Sequence, residues 1–103
     1  MTGTEKQIAW AESIVSMFER VMNEFEKENS NNPQIDKLHE MHITIIENMR
    51  NSNAGTIIDD FKLYEMVISD DAETINENYR KMTTEIMVAA KADKHDYRLG
   101  AQQ

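Results

Sequence analysis

The chain has 103 residues, 29% of them charged, and a net charge of −8 at neutral pH. That length suits one domain able to bury a core without covalent staples. The acidity speaks against a protein that grips nucleic acid directly through phosphates, which needs clustered Lys and Arg, and against docking on an anionic membrane. There is no cysteine, so disulfides and thiolate metal sites are excluded and a reducing interior is the simplest setting. No apolar run approaches the roughly 20 residues of a spanning helix, and the opening lacks the apolar block of a signal peptide. Cytoplasmic localisation is the expectation. One proline, three glycines and β-branched residues at helical rather than alternating spacing point to an all-α fold.

Thr4, with Gln7 three residues on, has the form of a capping box. Behind it Ile8, Ala11, Val15, Phe18, Met22 and Phe25 recur at alternating spacings of three and four, which predicts one helix over about residues 4–28. Ile14 and Val21 widen the stripe, and Trp10 and Met17 widen it to about half the cylinder. An arc of that width needs at least two neighbours. This is therefore the central helix, with Trp10 and Met17 expected beneath another element. The run Asn29-Ser30-Asn31-Asn32 favours a turn. Asn32-Pro33 reads as N-cap and first residue of a second helix, running from Pro33 to Met49 or Asn51. Its stripe is Ile35, Leu38, His42, Ile45 and Met49, flanked by Met41 and Ile46. The short connection implies an antiparallel hairpin.

Asn51 to Gly55 is the clearest turn, with Gly55 available for positive φ. Thr56 with Asp59 is the expected cap of a third helix carrying Ile57, Ile58, Phe61, Tyr64, Val67 and Ile68. From there to Lys91 neither glycine nor proline intervenes, and periodicity alone would draw a single helix of more than 30 residues. Ser69-Asp70-Asp71-Ala72-Glu73 instead looks like an N-cap with an acidic first turn. A kink or tight reversal at about Ser69 is the preferred reading over an uninterrupted helix. Residues 1–93 then form a compact three- or four-helix bundle, and residues 94–103, where the stripe is lost, a mobile tail.

Candidate chemistry is sparse. His39 and His42 share a helical face with Asp36 one turn earlier, a set that suits a divalent metal, yet no Glu-x-x-His on another helix completes it. His42 also lies on the apolar stripe, where a hydrogen-bonded histidine is the common occupant. The pairs Asp59-Asp60 and Asp70-Asp71 point about 100° apart on a helix, so neither converges as an acid/base pair. Capping and compensation of the helix dipole account for them. No nucleophile sits beside a base and no glycine loop cradles phosphate. The expectation is no enzyme, no cofactor and no metal. Eight methionines suit core filling, with Met66, beside Glu65, a candidate for an adaptable binding surface.

Charge is distributed unevenly. Residues 56–77 carry seven acids, Asp59, Asp60, Glu65, Asp70, Asp71, Glu73 and Glu77, against Lys62, whereas residues 78–103 carry a net +2. Glu5, Glu12, Glu19 and Glu26 recur every seventh residue, about 10.5 Å apart on a helix. A solvated face explains such acids, and so does a surface complementary to a Lys/Arg-lined groove. The seven acids are accordingly the candidate partner-binding residues, the partner being a protein with a basic surface. A second reading makes the long C-terminal stripe, with Ile75 and Ile86, the seam of a homodimer acting as a structural or adaptor protein.

The opening Thr4-Glu5-Lys6-Gln7-Ile8-Ala9-Trp10-Ala11-Glu12-Ser13-Ile14 resembles the start shared by a set of small phage and mobile-element open reading frames. These begin Ser/Thr-Glu-Lys-Gln, continue Trp-Ala-Glu and place an Ile shortly after. Many carry a later Trp-Ile-Asp-Asn-Arg-like segment, to which Ile57-Ile58-Asp59-Asp60-Phe61 is similar at its centre, with Ile for the Trp and Phe for the Arg. The resemblance implies no particular activity. It implies a genomic setting in which small acidic proteins antagonise host defence nucleases, CRISPR effectors among them.

Overall fold

In the computed structural model, which describes residues 1–99, Thr4 and Gln7 close the expected capping box at the start of α1 (Glu5–Glu28). The Gln7 N–H donates to Thr4 Oγ1 at 3.1 Å and the Thr4 N–H to Gln7 Oε1 at 3.0 Å, satisfying two donors at that end of the helix. Then follow α2 (Ile35–Arg50), α3 (Ala54–Phe61) and α4 (Ala72–Ala92). The described residues hold these four helices and no strand beyond a single bridge between Thr2 and Asn53. The fold is an all-α bundle.

Helix α1 is the axis, packing against each of the other three. Ala11, Ile14, Val15, Phe18, Val21 and Met22 on it are buried, as the half-cylinder stripe requires. Glu26 near its end meets His39 and His42 near the start of α2, while Glu12 and Glu19 meet Arg50 at the end of α2, so the two helices run antiparallel. Phe25 stacks on Tyr79 with centroids 3.6 Å apart, and Asn29 bonds Asn76, which sets α4 antiparallel to α1 as well. Phe18 stands edge-on to Phe61 at 4.9 Å and to Tyr64 at 5.1 Å, at the centre of the core. Edge-to-face pairs of this kind are each worth about 1 kcal/mol beyond the area they bury.

Several expectations need correction. Helix α2 starts at Ile35, not Pro33: Asn32 spends its Oδ1 on the Gln34 N–H and its carbonyl on the Ile35 N–H, forming a turn rather than a cap. Helix α3 is capped by Asn53, whose Oδ1 accepts from the Gly55 N–H at 2.8 Å, so Gly55 lies inside the helix and Thr56 caps nothing. It then stops at Phe61. Residues 62–71 carry no helix, so the expected kink at Ser69 is a break ten residues wide and the continuous-helix alternative fails. Val67 and Ile68, in phase with the stripe, are exposed. The acidic cluster nonetheless marks where α4 starts, for Asp71 is its N-cap, accepting from the Thr74 N–H at 3.2 Å.

Trp10 is half exposed rather than covered, whereas Met17 and Met66 pack against the core. The tail also differs from expectation as far as it is described. Tyr97 is buried against Phe61, and the Asn48 side chain donates to its carbonyl at 2.8 Å. Residues 94–99 are thus docked on the bundle, while residues 100–103 of the expected mobile tail lie outside the described residues. No helix of the described residues is long and apolar enough to cross a membrane.

Candidate functional site

Where α1, α2 and α4 meet, four polar side chains converge. The Glu26 carboxylate accepts from His39 Nδ1 at 2.7 Å through one oxygen and from His42 Nδ1 at 2.6 Å through the other. On the far side of the His42 ring, Nε2 faces the Tyr79 hydroxyl at 2.8 Å. With Nδ1–H committed to the carboxylate, Nε2 of a neutral ring accepts the Tyr79 proton. His42 is buried and His39 exposed. Burial lowers the His42 pKa from 6.5, outweighing the opposing pull of Glu26, and burial with the Glu26 charge raises that of Tyr79 to about 12. Beside this chain runs a groove of about 240 Å³, also lined by Glu19, Glu47 and Arg50. Every polar atom on the buried side has its partner, so the cluster clasps three helices together. Among the described residues no three His, Cys, Asp or Glu are placed to hold a metal. The sequence singled out both histidines, and Glu26 only as one of a stripe of surface acids, with nothing to join Glu26 or Tyr79 to them. Both lie beyond any local spacing, since the partner pairs are 13 to 37 residues apart.

The seven candidate acids part company. Asp60 leaves the surface: its side chain is 2% exposed, with the Tyr97 hydroxyl donating to it at 2.7 Å and His95 Nδ1 at 3.0 Å. Burial, helped by a hydrogen bond with Asp93, raises its pKa against the bonds from Tyr97 and His95 and the His95 charge, which lower it. It anchors the tail and cannot meet a partner in this conformation. Asp71 is committed to the cap of α4, and Glu77 is paired to Arg80 on its own helix. Asp59, Glu65, Asp70 and Glu73 remain exposed and make no ion pair among the described residues. They lie on or beside the break between α3 and α4.

That break is the least expected feature of the molecule. Leu63 is 88% exposed, Val67 59% and Ile68 75%, so three large apolar side chains stand in solvent within six residues. Val67 is held there by its backbone. Asn78, buried on α4, accepts the Val67 N–H on Oδ1 at 2.9 Å and donates from Nδ2 to the Val67 carbonyl at 2.8 Å. The Tyr64 hydroxyl, on a buried ring, donates to the Asn78 carbonyl at 2.7 Å. Asn78 occupies the apolar phase of α4 between Ile75 and Met82, and a polar residue there was the one signal in the sequence for this anchor. The seam proposed for self-association is used internally, since Ile75, Met82, Ile86 and Ala89 face the core.

No protein-family model, curated protein or solved structure matches the chain.

Proposed function

We propose that this chain is a non-enzymatic binding module whose acidic exterior engages the basic, nucleic-acid-binding surface of a partner protein. In the setting suggested by its opening residues, that partner is a host defence nuclease of the CRISPR type and the chain is its phage- or mobile-element-encoded inhibitor. The observation that carries the reading is the break between α3 and α4, which displays Leu63, Val67 and Ile68 among Asp59, Glu65, Asp70 and Glu73. Apolar side chains supply area to bury and the surrounding carboxylates supply orientation and speed of encounter. Asp60, Asp71 and Glu77 hold the scaffold in shape instead.

Binding to a panel of nucleic-acid-binding effectors, measured in roughly 0.05 M and 0.5 M salt, tests this. The wild-type chain should capture at least one effector at low salt and lose affinity at high salt. Asp70→Lys with Glu73→Lys should abolish that capture while leaving the helical spectrum unchanged. Capture indifferent to salt and to the charge reversal would overturn the reading.

A further inference from the structure

The segment anchored by Asn78 has the geometry of a strand with one edge already occupied. In β conformation the N–H and C=O of one residue point to the same side, and those of its neighbours point to the other. The Asn78 amide takes both groups of Val67, as a neighbouring strand would. The burial pattern agrees as far as Val67, with Tyr64 and Met66 turned inward and Glu65 and Val67 outward, while Ile68 departs from the alternation and stands exposed. The backbone groups of Met66 and Ile68 therefore point away from Asn78, and among the described residues they have no hydrogen-bond partner.

From this geometry we infer that residues 64–68 form a one-sided template onto which an extended segment of the partner adds as a strand, pairing with the backbone of Met66 and Ile68. The inference rests on the binding reading above and specifies its mode. Strand addition takes affinity from main-chain bonds and specificity from alternate side chains. Residues 63–71 carry Glu65, Asp70 and Asp71 and no cation of their own. Of the cations lining the grooves beside them, Arg20 and Arg80 are spent on Glu24 and Glu77, and Lys27 and Lys81 stand with Glu28 and Glu85. The added strand is therefore one in which apolar residues alternate with Lys or Arg. Ordinary exposed strand edges are blunted by lysine or proline, and neither occurs between Leu63 and Asp71. Holding the template rigid from one side removes part of the ordering cost of binding.

The test uses the whole chain and a synthetic probe, Lys-Val-Lys-Val-Lys-Val-Lys, beside a control peptide of the same composition with its lysines and valines in separate blocks. Amide hydrogen exchange should slow about tenfold or more at Met66 and Ile68 when the alternating probe is added, with Val67, already bonded, unchanged. The block peptide should give no such alternation. Ile68→Pro, which removes the outward N–H, should weaken the probe about tenfold, whereas Ile68→Ala, which keeps it, should not. Should the proline variant fail to fold, the exchange pattern of the wild-type chain decides by itself. A probe that binds with salt-sensitive affinity but leaves Met66 and Ile68 unprotected would overturn strand addition and leave the electrostatic reading intact. A probe that does not bind would overturn the inference, the effector panel then judging the broader reading separately. A chain that sediments as a dimer, with both amides protected before any peptide is added, would show that a second copy fills the edge and overturn the stated occupant.

Discussion

A single imidazole carries most of the polar engineering of this bundle. His42 is 4% exposed by side chain, and it spends one ring nitrogen on Glu26 and the other on Tyr79. Burial holds its pKa below 6.5, with Glu26 pulling the other way and His39 adding to the depression. The folded chain thus takes up this proton less readily than the unfolded one. Where the pH lies between 6.5 and the lower folded value, the unfolded state binds more protons, and stability falls as the solution is acidified through that window. Above the window the contribution is complete. Asp60 acts in the opposite sense, since its raised pKa lets the folded chain hold a proton that the unfolded chain has released above 3.8. The two effects oppose one another, and the His42 variant isolates the first. His42→Gln should cost about 1 kcal/mol at pH 7. It should also flatten the decline in melting temperature that circular dichroism would record for the wild-type chain as the pH is lowered below 6.5.

At the scale of elements, α4 shows how little holds a helix start in place. Asp71 supplies the cap and Glu73 a favourable first-turn charge, directly after a stretch with no helix at all. Asp71→Ala should therefore cost about 1 kcal/mol in urea unfolding, with the slope against urea unchanged if only the cap is lost. The Thr4 box was visible in the chain as written, being built from residues three apart, and so was a helix start within Ser69 to Glu73, though not that Asp71 would cap it through Thr74. The all-α class and the burial of α1 followed from apolar spacing, and the antiparallel hairpin from the short connection between the first two helices. What stayed hidden depends on partners remote in the chain. Periodicity carried Val67 and Ile68 into a helix because nothing local revealed that Asn78, 11 residues on, would hold Val67 by its backbone. Asp60 looked like one more surface acid until Tyr97, 37 residues away, was found bonded to it. Pro33 misled because a side chain one residue earlier prefers its own turn to a cap.

Across the whole molecule the arrangement is radial, with α1 in contact with every other helix and α3 also meeting α4. Helix α2 is different. Apolar packing fastens it to α1 along one side through Ile45, Ile46 and Met49. Its other side is joined to α4 and the tail by His42 to Tyr79 and by Asn48 to the Tyr97 carbonyl. Native-state hydrogen exchange should accordingly find the amides of α2 opening before those of α1 and α4, by about 1 kcal/mol or more. The two clasps are polar and few, so α2 behaves as a shutter hung on one long edge. Substituting His42 and Asn48 together would release both clasps, and with His42 goes its bond to Glu26 of α1, leaving the apolar packing of Ile45, Ile46 and Met49 to hold the hanging edge. The apolar pocket between α2 and α4, lined by Met41, Ile45, Met82 and Ile86, would then be opened, without the rest of the structure having to melt.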